Sequence, residues 1–159
     1  MKKLLLIITM TASVLSAMPA DAQLVDPKDP CYKTLFGGIP TPNVLTTGSW
    51  ENEVQVAQAA TAIRVSIGMM LMGARSAEEK VKAGTFTPAE RDALRARTRC
   101  LPWLGTLLRL LEEKMRKLGI ASMQMPEDRQ RVERERFLKE AEADVAEAKQ
   151  IMERILRSR

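Results

Sequence analysis

The stretch that decides the fold is Val54–Met72, which reads VQVAQAATAIRVSIGMMLM and carries one charged residue, Arg64. A helix that is apolar on nearly every side is normally buried at the centre of a protein. We therefore expect this stretch to form a central core helix. The alternative is a segment that contacts a membrane or a partner. Arg64 weakens the idea of a bilayer-spanning helix, because arginine at the bilayer centre costs several kcal/mol.

The ends of this first helix carry capping signals. Ser49 is a good N-cap, and Glu53 follows in the first turn, where the helix dipole favours acids. At the other end, Ser76 and Glu79 have the spacing of a capping box, which predicts a restart at Ser76. Gly84 is a natural stop if the helix continues. The sequence leaves these two endings open.

The second helix has a clear start and an internal breaker. Thr87 is followed by Pro88 and Glu90, which predicts an N-cap, a proline in the first turn and a capping box. Mostly leucine positions, with Thr98 and Met115 among them, recur at alternating steps of three and four up to residue 118, and that alternation breaks once, at Pro102. Proline removes a backbone donor and clashes with the preceding turn, so the pattern predicts one helix over residues 88–118 with a kink at Pro102.

The last helix is predicted over residues 126–157. Its apolar positions keep strict three-four spacing, as in coiled coils, and half of them are alanine, which lets a partner helix approach closely; they are Leu138, Ala141, Val145, Ala148, Met152 and Ile155. Three helices of similar length with short connections predict an all-α fold, an up-down-up bundle over residues 49–159.

The first 22 residues have the pattern of a secretory signal peptide. Lys2 and Lys3 precede an apolar run, and Ala20 and Ala22 stand where a signal peptidase reads small residues. We expect residues 1–22 to be removed after Ala22, and the mature chain to be periplasmic or secreted in a bacterium. An N-terminal membrane anchor is the alternative, but the apolar run is short for a spanning helix.

The two cysteines are interpreted in the light of export. In an oxidising compartment, Cys31 and Cys100 are most simply one disulfide. Residues 23–48 are rich in proline and glycine and show no helical period, which predicts an extended arm with turns. The disulfide would tie that arm to the chain beside Pro102.

Composition excludes several classes of function. The chain of 159 residues contains no histidine, 4% aromatic residues and a formal net charge of +5. Mechanisms that need imidazole are excluded, and so are most zinc and haem sites. Few aromatic residues and a modest charge argue against a nucleic-acid partner. We expect no enzymatic activity, no cofactor, no metal site and no small-molecule substrate.

Two clusters are candidates for partner binding. Met69, Met70 and Met72 could form a soft binding surface, or could fill an irregular gap in the core. The second cluster is Arg91, Arg95 and Arg99, which fall four residues apart and share one helix face. Their guanidinium groups could bind phosphate or carboxylate groups; the alternative is a solvated face neutralised by neighbouring acids.

One short segment and the general layout resemble known families. Phe86-Thr87-Pro88-Ala89-Glu90-Arg91 resembles the Leu-Thr-x-x-Gln motif of small helical periplasmic stress chaperones, although it occurs once and has glutamate in place of glutamine. The layout is similar to that of minor pilus subunits of type IV secretion systems, which are exported helical bundles. Neither resemblance assigns the chain to a family.

The function expected from these features is structural. We expect an exported, non-enzymatic helical protein that serves as a structural or assembly subunit of a cell-envelope complex, related to secretion or to pili. It would bind protein partners, or a second copy of itself, and peripheral membrane contact is compatible with it. The alternative is a periplasmic holdase chaperone or stress sensor that binds unfolded polypeptide or lipid.

Overall fold

The computed structural model describes residues 25–37, 45, 50–118 and 127–158. The described residues form five helices and no strand, which confirms the all-helical prediction; the helices are α1 (Pro30–Phe36), α2 (Glu53–Lys82), α3 (Pro88–Arg99), α4 (Leu101–Leu118) and α5 (Glu127–Arg157). The predicted signal peptide at residues 1–22 lies outside the described residues, and so does the whole connection at residues 119–125 before the last predicted helix.

The structure places both ends of α2. The helix begins at Glu53, with Asn52 as its N-cap: the Asn52 side chain accepts a hydrogen bond from the Gln55 amide at 3.0 Å. The predicted N-cap at Ser49 is therefore three residues early. No restart occurs at Ser76, and the helix runs on to the glycine stop. Gly84 has a φ of 71°, a left-handed conformation that suits glycine.

The predicted helix over 88–118 is two helices. Thr87 and Glu90 form the expected capping box at the start of α3. The break falls at Cys100, whose amide donates to the Arg97 carbonyl at 3.0 Å. Pro102 therefore lies in the first turn of α4, where a helix needs no amide donor. An interruption at Cys100 thus replaces a kink within one continuous helix.

α5 runs alongside α2 in the same direction. Three ion pairs join the two helices, Arg64–Asp144, Arg75–Glu147 and Arg154–Glu78, and the paired residues are separated by 80, 72 and 76 positions. The residue numbers of both partners increase together from one ion pair to the next, so the two helices are parallel. α3 and α4 run the opposite way, since Arg91 contacts the carbonyl of Ser158 and Arg134 contacts that of Met115.

The core lies where these helices meet. Small residues allow close approach: Ala59 and Ala74 of α2 and Ala141 and Ala148 of α5 are fully buried. The larger buried side chains fill the space that remains, and they include Ile63, Ile67, Leu104, Leu111, Met115 and Met152. The predicted apolar positions of α5 all lie on its inner side, with Leu138 and Val145 half-buried.

The predicted N-terminal arm contains a helix that the sequence pattern did not indicate. Asp29 caps α1 by accepting a hydrogen bond from the Cys31 amide at 2.7 Å, and Pro30 occupies the first turn. This short helix is held by tertiary contacts: its Leu35 carbonyl accepts a bond from Ser66 at 2.8 Å, and Phe36 is buried. Seven residues are too few to form a stable helix alone.

The predicted disulfide is present and lies at the break between α3 and α4. Cys31 of α1 is bonded to Cys100, with 5.3 Å between their α-carbons. Beside the bond, Phe36 packs edge-on against Trp103 with ring centroids 6.1 Å apart. The bond therefore fixes α1 to the interruption between α3 and α4.

We predict that the disulfide supplies a large part of the stability. Sequence separation between the cysteines is 69, and the chain-entropy relation gives about 4 kcal/mol for a loop of that length. The double variant Cys31→Ala/Cys100→Ala should lose about 2–5 kcal/mol in the free energy of unfolding measured with urea. Reductant should shift the wild-type midpoint and leave the double variant unchanged. Equal midpoints with and without reductant would contradict the prediction.

Candidate functional site

One side of α2 is exposed over five turns. Its positions follow strict steps of four and three, the spacing of a coiled-coil contact face; they are Val54, Gln58, Thr61, Val65, Gly68 and Met72, called the α2 face below. Large apolar side chains are open to solvent on it: Met72 is 71% exposed and Val54 is 47% exposed. The expectation of a helix buried on all sides is therefore wrong for this side.

The α2 face carries no charge, and its polar groups are few. The Thr61 hydroxyl donates to the Ala57 carbonyl within the same helix at 3.0 Å, which leaves its methyl group as the outward surface. Arg64 and Arg75 lie between the face and α5, and both are paired with acids of α5. Their charges are therefore balanced at the border of the face.

α2 is also long and apolar enough, by composition, to cross a membrane. Its most apolar 18-residue window has a mean hydropathy of 1.3, and half of that window is buried inside the protein. A core helix of a soluble protein passes the same test. Among the described residues, α1, α4 and α5 cover the buried half, and the α2 face is the uncharged side that they leave exposed.

The three candidate methionines point in different directions, and they do not form one surface. Met69 is 54% exposed and lies beside the α2 face, and Met72 belongs to that face. Met70 is 5% exposed and is part of the core. Consecutive residues on a helix point 100° apart, so the cluster divides into two surface residues and one core residue.

The three candidate arginines do not form one open surface. The Arg91 guanidinium lies 5.8 Å from the Phe86 ring and donates to the Ser158 carbonyl at 3.0 Å, so it holds the end of α5. Arg95 is paired with Asp92 at 2.8 Å. Arg99 is exposed and contacts no acid among the described residues. Only Arg99 therefore remains open to solvent without a partner in the described chain.

A cavity of about 250 Å³ lies between the end of α2 and the start of α3. Its polar lining comes from Ser76 and Lys80 of α2 and from Glu90 and Arg97 of α3. Phe86 and Leu94 are among its apolar walls. We call it the Arg97 cavity.

The acid in this cavity is strongly held. Lys80 is ion-paired and hydrogen-bonded to Glu90, and the Thr87 amide and hydroxyl also donate to that carboxylate at 2.8 and 2.9 Å. These contacts, led by the Lys80 hydrogen bond, lower the pKa of Glu90 from 4.5 to about 2. Glu90 is therefore ionised at neutral pH, and its charge is balanced by Lys80.

Arg97 was not among the residues singled out from the sequence. It lies two positions from Arg95 and Arg99 but points toward α2, where it bounds both the Arg97 cavity and a smaller cavity beside Met69. The contact joins residues of different helices, so spacing along the chain carries no signal for it. Within the described part of the chain, no cluster of Cys, Asp and Glu is arranged to hold a metal ion.

The comparisons with known proteins add no family. The chain matches no family model, and no curated protein or solved structure shows significant similarity to it.

We predict that Glu90 contributes to acid stability. Because folding lowers its pKa from 4.5 to about 2, its stabilisation is complete above pH 4.5 and is lost as the pH falls toward 2. Glu90→Gln should therefore lower the free energy of unfolding at neutral pH and flatten its fall between those two pH values. Urea denaturation at a series of pH values measures both effects. Glu112→Gln, at an exposed position, is the control, and a wild-type acid profile in Glu90→Gln would contradict the assignment.

Proposed function

We propose that the protein is a non-enzymatic, exported structural or assembly subunit of a cell-envelope complex, and that a helix of a protein partner docks on the α2 face. The observation that supports it is the side of α2 that stays uncharged and exposed from Val54 to Met72 while the opposite side is buried. Coiled-coil spacing on an exposed face suits a second helix packed along it.

Small residues at the middle of the face favour a close helix contact. The smaller Thr61 and Gly68 alternate with the larger Val65 and Met72. Side chains of a partner helix would pack into the spaces over the smaller residues. No described contact uses this surface within the chain. A helix laid along it would bury the four most exposed apolar side chains of α2, Val54, Val65, Met69 and Met72.

The size of the face favours an assembly over an isolated dimer. From Val54 to Met72 it extends about 27 Å and is about 10 Å wide, on the order of 300 Å². A stable two-protein interface buries about 800 Å² on each partner. The α2 face therefore suits one contact among several, as in a subunit with neighbours on more than one side.

Export supports the envelope as the location. The pattern of residues 1–22 is typical of a secretory signal peptide, and the Cys31–Cys100 disulfide is compatible with an oxidising compartment. In this proposal the up-down-up arrangement of helices is the rigid body. Within the predicted arm, the described helix α1 is fastened to that body by the disulfide, so the α2 face is presented on a firm support.

The alternative function is a holdase chaperone or stress sensor. Met69 and Met72 are exposed and flexible, and methionine-rich surfaces adapt to varied apolar ligands. If this alternative is correct, equimolar protein should suppress the aggregation of a chemically denatured model enzyme, measured by light scattering. Met69→Ser/Met72→Ser should abolish that effect. Unchanged aggregation at molar excess would exclude the alternative.

The docking proposal is tested by site-specific crosslinking in the native envelope. A benzophenone amino acid placed at Val65 or Met72 should give a discrete protein adduct on irradiation. The same amino acid at Val132, an equally exposed apolar position on α5, should give none. Adducts at all three positions, or at none, would count against a partner on the α2 face; lipid adducts alone would indicate membrane contact instead.

A charge on the face should prevent docking without unfolding the protein. Val65→Glu should weaken partner recovery at least about tenfold, because a desolvated, unpaired carboxylate costs several kcal/mol. Val132→Glu is the matched control and should leave recovery unchanged. Circular dichroism should give wild-type melting for both variants, since both positions are solvent-exposed.

A further inference from the structure

Four described arginines are half-buried, and three of them have acceptors. Arg64 is paired with Asp144, Arg91 donates to the Ser158 carbonyl, and Arg134 donates to the Met115 carbonyl. The exception is Arg97, whose side chain makes no hydrogen bond or ion pair with any described residue. A guanidinium offers five donors in a planar fork, so an unoccupied one in a cavity can take a planar anion in two parallel hydrogen bonds.

Arg97 is placed by a glycine on the neighbouring helix. A β-carbon at Gly73 of α2 would lie 3.1 Å from an Arg97 terminal nitrogen. The guanidinium therefore crosses α2 where the side chain is absent. Glycine in a helix interior destabilises the helix by roughly 0.5–1 kcal/mol relative to alanine. Gly73 therefore lowers the stability of α2 but leaves space for the Arg97 guanidinium.

The charges in the Arg97 cavity leave one cation unbalanced. Lys80 and Glu90 neutralise each other, and Arg97 adds one positive charge. Ser76 lines the same cavity and supplies a hydroxyl donor, while Phe86 and Leu94 provide apolar wall. An anion with a short apolar body suits this lining: its charge would face Arg97 and Ser76, and its apolar part would lie against Phe86 and Leu94.

The volume limits the size of that ligand. At about 250 Å³, the cavity is smaller than the roughly 300–1,000 Å³ of sites for drug-sized molecules. A nucleotide or another large cofactor does not fit it. A group of the size of one amino-acid residue does.

We propose that the Arg97 cavity binds a single carboxylate attached to a short apolar group, with Arg97 as the anion receptor. Two sources share this chemistry: the C-terminal residue of a partner chain and a small free carboxylic acid. The site goes beyond the docking proposal, because its binding is measurable whether or not the α2 face has a partner.

The Arg97 cavity lies next to the α2 face. Arg97 also lines the smaller cavity of about 80 Å³ that includes Met69 and Ser66. A chain end held by Arg97 would thus reach the edge of the α2 face beside Met69. This adjacency makes a partner chain end a candidate source on equal terms with a free acid.

The test is an NMR titration of the full disulfide-bonded chain with four probes: isocaproate, N-acetyl-leucine and the neutral amide of each. Both acids should shift the amide signals of Gly73, Ser76 and Ala93, and neither amide should. The tighter acid identifies the source, because N-acetyl-leucine carries the peptide bond of a chain end and isocaproate lacks it. No shift with either acid, or equal shifts with the amides, would overturn the proposal.

Variants separate a receptor from a structural arginine. Arg97→Gln should weaken acid binding at least about tenfold, the usual effect of removing a charge-assisted hydrogen bond. Arg99→Gln removes an exposed guanidinium two residues away that does not line the cavity, and should leave affinity unchanged. Equal weakening by both variants would indicate nonspecific attraction and overturn the proposal.

A third variant acts on the arginine without removing it. Gly73→Ala places a β-carbon 3.1 Å from an Arg97 terminal nitrogen, so the guanidinium must move by a few tenths of an ångström. Acid binding should weaken modestly, while the melting temperature stays the same or rises. A merely structural Arg97 would not produce this opposite movement. Wild-type affinity in Gly73→Ala would show that the position over Gly73 is not the binding position.

Discussion

The parallel packing of α2 against α5 is the contact on which the rest of the structure depends. Fully buried alanines on both helices allow the axes to approach closely, and paired arginines along one edge fix the register. Once α5 occupies that side of α2, and α1 and α4 occupy others, the heptad-spaced positions from Val54 to Met72 are left outside. α2 is almost uniformly uncharged between Val54 and Met72, so its few charged residues decide which side α5 packs against. The exposed face is the side that remains.

The break at Cys100 has a comparable effect on the cavity. A continuous helix over 88–118 would carry α3 and α4 along a single axis. Because Pro102 cannot donate to a preceding carbonyl, the helix is interrupted at Cys100 and resumes at Leu101, so α3 ends at Arg99 beside α2. Arg97 lies in the last turn of α3, and it meets Gly73 there. The disulfide and the Phe36–Trp103 contact fasten α1 at the same point.

Local signals in the sequence predicted local features well. The capping box at Thr87 and the glycine stop at Gly84 depend on residues close in the chain, and the structure has both. The proline was expected to kink one helix at Pro102, and the structure instead has an interruption at Cys100. The Cys31–Cys100 bond was predictable because only two cysteines are available. α1 was missed because a helix of seven residues is stabilised by its partners, and no period in its own sequence records them.

The exposed α2 face and the orientation of Arg97 were harder to predict, because both depend on contacts between helices. An apolar helix predicts burial, but the sequence of α2 alone does not state how many sides its neighbours can cover. Arg97 is separated from Gly73 by a turn and most of a helix, so its orientation depends on the angle between α2 and α3. The sequence therefore indicated a cationic α3 but selected Arg91, Arg95 and Arg99, of which Arg91 is held by the end of α5.

The α2 face and the Arg97 cavity have complementary physical properties. An uncharged face on the order of 300 Å² lies at the lower end of the apolar patches found on soluble monomers. Such a face gives little discrimination among apolar partners, because hydrophobic contact is non-directional. A guanidinium is directional, since it donates two parallel hydrogen bonds to a carboxylate in the plane of its fork. In the two proposed interactions, the arginine would therefore supply selectivity and the apolar face would supply the contact area.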